Sequence, residues 1–177
     1  MQAVALLEKY KPDNDYEESC RLRMLQLLKN SRCFFRDCTP AHFTASAWLI
    51  NKTGDKSLLL HHRKLNLWLQ PGGHADGDTD LLAVAIKEAQ EESGIEAIVP
   101  VYPDIFDLDI HAVGTAGAPD YLEHYDVRFL LQVQSDEALV GNAESLDLKW
   151  LGIDDEWPTD RWSVIRMRNK WALDFCL

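Results

Sequence analysis

Three closely spaced glutamates, Glu88, Glu91 and Glu92, constrain this chain more than any other feature. They lie in the run Asp80 to Ser93, where Leu82, Ala85, Ile86 and Ala89 recur at the spacing of a buried helical stripe. On a helix, Glu88 stands one turn before both Glu91 and Glu92, so the three carboxylates share a face. Gly94 follows, at the point where a helix C-terminus favours a left-handed residue. Like charges at this spacing cost a helix roughly a few tenths of a kcal/mol. The negative end of the helix dipole adds to that cost. A shared hard cation removes both penalties, and magnesium takes oxygen ligands while bridging to substrate phosphates. A solvated acidic face that binds nothing is the alternative that the helix alone leaves open.

The approach to this helix is Trp68-Leu-Gln-Pro-Gly-Gly-His74. Taken together, loop and helix resemble the Nudix box, whose pattern runs from a glycine through a glutamate to R-E-U-x-E-E-x-G-U, with U a bulky aliphatic residue. Gly73 opens the pattern, Glu88 is the first helix glutamate, Glu91 and Glu92 are the paired ones, Gly94 closes it and Ile95 is the last aliphatic. The late Leu148-Lys-Trp-Leu151 run is also similar to family members, whereas the first forty or so residues are not covered well. The resemblance implies an α/β (α+β) fold: a Nudix-like mixed β-sheet flanked by helices, here with an N-terminal helical extension. It implies hydrolysis of a diphosphate linkage in a nucleoside diphosphate derivative or similar organic diphosphate. The cofactor implied is Mg2+, with Mn2+ as the alternative, held by Glu88, Glu91, Glu92 and the backbone carbonyl of Gly73. The same three glutamates form the catalytic set. The base that prepares the attacking water is then Glu88 or a carboxylate outside the box, for which Glu123 and Asp126 are candidates.

Three positions depart from the pattern. Thr79 stands for the family's first glutamate, Lys87 for its arginine, and Ala89 for a larger aliphatic. Thr79 carries no charge but can cap the helix, as can Asp78. Lys87 can reach Glu91 one turn on, as a point charge rather than a bidentate fork. Two other readings therefore stay open: a weakened or inactive ligand-binding module, and an isomerase acting on an isoprenoid diphosphate. The isomerase pairs a catalytic cysteine with its glutamate, and no cysteine lies between His42 and Asp174.

Elsewhere the pattern is strand-rich. Residues 42–51, 57–62, 66–70, 95–101, 105–111, 125–134 and 146–151 read as strands, and about 159–171 as a closing amphipathic helix. Before them, residues 14–30 read as a helix with Leu22, Leu25, Leu28 and Met24 on its buried side, capped by Asn14 or Asp15. The expected organisation is one domain over residues 1–177, of which 1–40 are the extension. The order of elements suggests a mixed sheet with helices on its faces.

The net charge of −11, from 18 basic and 29 acidic residues, opposes stable nucleic-acid binding. A bound divalent cation can still reverse the local sign for an anionic small molecule. The expected partner is thus a small-molecule diphosphate, with no membrane association and a homodimer allowed. No apolar run is long enough to span a bilayer, and the first ten residues lack a basic leader, so the expected location is cytoplasmic. Cys20, Cys33, Cys38 and Cys176 form no metal-binding spacing and read as free thiols. All six histidines fall within the strand-rich part. His111 and His124 have acidic neighbours, which would favour their charged forms. With Arg128 they are the expected contacts to substrate phosphate. Trp48, Trp68 and Trp150 read as core rather than as platforms for a base. The segment from Ile110 to Val113 holds neither the proline nor the tyrosine that marks some Nudix subgroups, so the substrate is not specified.

Overall fold

The computed structural model describes residues 2–114, 121–135 and 138–175, and Cys176 lies outside them. In chain order the elements are α1 (Gln2–Lys9), α2 (Asp15–Leu27), β1 (Ala41–Ile50), β2 (Lys56–His62), β3 (Leu67–Leu69), β4 (Gly72–His74), α3 (Leu81–Ser93), β5 (Ile98–Pro100), β6 (Asp107–Val113), β7 (Leu122–Val133), β8 (Ser145–Gly152) and α4 (Trp162–Phe175). The strands hydrogen-bond in the order β3-β2-β1-β7-β5, with β4 on β1, β6 on β7 and β8 on β2. β2 pairs antiparallel with β1, β3 and β8, and β7 pairs antiparallel with β5 and β6. β1 and β7 run the same way: Glu123 N donates to Pro40 O where both begin, and the Gln132 side chain donates to the carbonyl of Lys52 where both end. The sheet is therefore mixed, with helices flanking it, as the order of elements suggests. Every residue of β1 is buried, as expected of a strand covered on both faces.

By its contacts the chain forms two compact units, each assembled from three segments. One comprises Met1–Ser46, Gly73–Ala85 and Pro103–Phe129. Its N-terminal part holds two helices where the sequence suggested one. α2 is capped by Asn14, whose side chain accepts from Glu17 N at 3.0 Å. The buried side of α2 carries Glu17, Cys20 and Met24, with Leu28 just past its end, while Leu22 is 53% exposed. The expected stripe through Leu22 is thus rotated. Glu17 supplies the reason: its carboxylate is wholly buried, accepting from Tyr10 Oη at 2.5 Å and Asp13 N at 3.2 Å, and this turns the helix. Phe43 stacks on Phe34 with centroids 5.3 Å apart and meets Tyr125 edge-on at 6.2 Å, forming the aromatic core.

The other unit comprises Ala47–Gly72, Ile86–Tyr102 and Leu130–Leu177. Trp48 is fully buried and stacks on Trp157 at 5.8 Å with planes 3° apart, and Trp171 lies 6.3 Å away. Trp68 is half-buried, stacked on His61 at 5.0 Å with Lys149 Nζ over its ring at 4.8 Å.

α3 begins one residue later than the loop pattern suggested, and its cap is neither Thr79 nor Asp78. Asp80 accepts from Ala83 N at 3.1 Å, while Asp78 accepts from the amide of Asp80 at 2.9 Å. Asp80 is thus the cap, Asp78 holds the turn before it, and Thr79 is left exposed. The helix buries Leu81, Val84, Ala85 and Ala89, with Leu82 and Ile86 at its edge. At its C-terminus Gly94 has φ +73°, and a β-carbon there would lie 2.6 Å from Val140 Cβ and 2.7 Å from Val140 O. Backbone conformation and close approach both demand glycine at this point.

Candidate active site

The three glutamates of α3 differ sharply in exposure. The Glu91 side chain is 54% exposed and that of Glu88 18%, while Glu92 is 5% exposed and accepts from the amide of Gly72 at 2.9 Å through Oε2. Lys87 Nζ lies 3.3 Å from Glu91 Oε1 and 3.5 Å from Glu88 Oε1, so the lysine does bridge the turn as expected. Burial pushes the Glu92 carboxyl up to about 8. The Gly72 amide opposes that rise, and the charges of Glu88, Glu144 and Glu91 add to it. Glu88 is also raised, first by burial. Glu144, in the loop before β8, raises both of them and was not foreseen. Nothing in its sequence neighbourhood marks it, since only the folded chain brings it close.

This ridge is a carboxylate-oxygen donor set with too little positive charge beside it. A hard divalent cation suits such donors and would favour the ionised form of Glu92. The residues present therefore fit the metal that the box implies. Gly73 follows Gly72 within β4, although Pro71-Gly72-Gly73 has the composition of a strand break.

Among the other expected site residues, strand alternation in the first unit gathers a buried polar layer. His42, Thr44 and Ser46 alternate along β1, His124, Asp126 and Arg128 along β7, and Asp107, Asp109 and His111 along β6. The register sets Asp107 opposite Arg128, Asp109 opposite Asp126 and His111 opposite His124. Arg128 is 1% exposed, with Nε 2.7 Å from Asp126, Nη1 3.0 Å from Asp107 and Nη2 3.0 Å from Asp109. Asp126 also accepts from Thr44 Oγ1 at 3.0 Å and Ser46 Oγ at 2.8 Å, and Tyr16 Oη of α2 donates to Asp109 at 2.8 Å. The guanidinium is thus committed to three carboxylates within the fold and is not presented to a phosphate from solution. Asp126 is equally committed, and Glu123 is paired with Arg23 at 2.6 Å.

The expectation that acidic neighbours hold His124 charged is corrected. Burial, and then the charges of His111, His74 and His42, push its imidazole down to about 3, outweighing Asp126. His42 and His74 are also lowered, first by burial. His111, with its side chain 36% exposed, has Nδ1 3.2 Å from Asp109 Oδ2.

Comparison with known proteins bears on the family and the fold. The NUDIX domain family model matches residues 40–168, well over half of the chain. Among solved structures, a C. elegans Ap4A hydrolase complex superposes with TM-score 0.59 at 20% identity, covering 74% of this chain and 95% of that one. A NUDIX family hydrolase from Clostridium perfringens gives TM-score 0.56 at 24% identity over 75% and 97%. A UDP-X diphosphatase gives 0.54 at 15% identity but covers 97% of this chain and 91% of its own, the helical extension included. No curated protein sequence matches significantly. The chain belongs to the Nudix family, a family of hydrolases acting on diphosphate-containing substrates.

Proposed function

We propose that the chain is a Mg2+-dependent hydrolase of a nucleoside diphosphate derivative or similar organic diphosphate, with Mn2+ able to substitute. The observation that carries this reading is the ridge of Glu88, Glu91 and Glu92 on α3, whose member Glu92 is buried and accepts from the Gly72 amide at 2.9 Å. These three, with the carbonyl of Gly73, would hold the metal. When bound, the cation offsets phosphoryl charge and makes water more acidic. The chain's own residues do the rest. The Gly72 amide fixes the orientation of Glu92, and Lys87 restrains Glu88 and Glu91. Glu88 or Glu144 accepts the proton as water oxygen bonds to phosphorus and the bridging P–O bond breaks, releasing two phosphorylated products. Glu144 replaces Glu123 and Asp126 as the candidate outside the box, because those two are engaged by Arg23 and Arg128. His111 keeps the proposed phosphate contact, being the most open of the three residues first considered, while Arg128 acts by holding β6 and β7 together.

Lys87 spans Glu88 and Glu91, and Asp80 caps α3 in place of Thr79, so the two departures from the box are compatible with this reading. Among the described residues no helix is long and apolar enough to cross a membrane. We place the enzyme in the cytoplasm as a monomer or homodimer. The test is product release with Mg2+ across a panel of organic diphosphates, beginning with UDP-linked compounds and dinucleoside polyphosphates. Metal-dependent release from at least one class is expected. Tight binding of panel members without any release would favour a ligand-binding module instead.

A further inference from the structure

The buried polar layer contains a cluster that the glutamate chemistry leaves unused. His42 on β1, His74 on β4 and His124 on β7 offer ring nitrogens that all lie within 4.8 Å of one another. Their ring centroids are 4.9 to 5.1 Å apart in every pair. His42 is 1% exposed, and its Nε2 is buried with no hydrogen-bond partner among the described residues. Its other nitrogen, Nδ1, faces the carbonyl oxygen of Cys38 at 3.3 Å. A carbonyl can only accept, so Nδ1 carries the proton and Nε2 presents a bare lone pair. That is the tautomer and the outer support expected of an imidazole ligand.

We infer that His42, His74 and His124 form a site for one borderline divalent cation of the Zn2+ class, distinct in its ligands from the glutamate ridge. The donor set decides the class. Imidazole nitrogens select zinc and its neighbours, whereas Mg2+ prefers oxygen. Zinc–nitrogen bonds of about 2.0–2.1 Å in a tetrahedron place ligand atoms about 3.4 Å apart. The three nitrogens therefore need to draw together by at most about 1.4 Å, starting from the 4.8 Å limit. His74 and His124 are half-buried and can supply that movement by small side-chain rotations, while His42 is fixed. Three imidazoles leave the fourth position to water or an incoming ligand, the pattern of an open zinc site.

The full chain in excess Mg2+ is titrated with Zn2+ by calorimetry and thermal melting, with Co2+ as a visible-absorption probe. One equivalent of Zn2+ should bind and raise the melting temperature, and Co2+ should give the intense spectrum of a four-coordinate nitrogen site. His74→Gln and His124→Gln, both at half-buried positions, should each weaken Zn2+ binding at least about tenfold. A variant with Glu88, Glu91 and Glu92 all changed to Gln should bind Zn2+ as well as the parent, which keeps failure here separate from failure of the magnesium reading. Failure of the unaltered chain to bind Zn2+ above Mg2+ overturns the inference. So does binding that survives both histidine changes, or binding lost only with the glutamates.

Discussion

The two units solve the burial of polar groups in opposite ways. In the first, Arg128 holds Asp107, Asp109 and Asp126 while Thr44, Ser46 and Tyr16 supply further hydrogen bonds, so the charges are answered from within. In the second, Glu92 is as buried as those aspartates but meets one backbone amide, and its nearest charges have its own sign. A closed network needs nothing from outside and serves to hold strands in register. An open one is costly until something binds. The difference sets the Arg128 network of β6 and β7 apart from the ridge on α3, which we propose as the metal site.

The largest effect expected from this contrast is structural. Arg128→Met removes the one guanidinium that three buried carboxylates share, and breaking a buried ionic network in this way costs about 3–5 kcal/mol. Urea unfolding should show the midpoint falling accordingly. An unchanged midpoint would mean that the layer is not held as described.

A smaller effect distinguishes the units by pH. The Glu92 carboxyl is raised on folding, so its contribution to stability is fully present below its ordinary value near 4.5 and is lost as pH rises through about 8. Imidazoles such as His124 are lowered on folding, so theirs is present above about 6.5 and is lost as pH falls through about 3. Melting temperatures in chelator should therefore drop on both sides of a maximum. Glu92→Gln should flatten the alkaline limb alone and leave the acid limb in place. Loss of the acid limb in that variant would break the separation of the two regions.

Much of the second region was legible because its information is local. Three glutamates within one helical turn, a terminating glycine and a glycine loop are short-range features, and the helix places them without help from distant chain. The first region was not legible for the converse reason. Asp107 meets Arg128 and His42 meets His124 only through strand register, which alternation within each strand does not fix. The same limit hid Glu144, which reaches the glutamates from a loop far along the chain. Local competition misled in smaller ways. Asp80 displaced Thr79 and Asp78 as the cap because its carboxylate reaches the amide of Ala83, and the buried Glu17 rotated α2 away from the Leu22 stripe. Pro71-Gly72-Gly73 reads as a break by composition, yet Gly72–His74 pairs with β1 as a strand.

The measurement closest to the central claim is turnover by Glu92→Gln, compared with the parent across a Mg2+ titration. Glutamine keeps the size of the side chain and can still accept from the Gly72 amide, but it cannot supply the charge that a metal needs. The account predicts an unaltered fold, a weakened dependence on Mg2+ and a rate lower by at least about 100-fold. Full activity of this variant at the parent's Mg2+ requirement would contradict the assignment of the site.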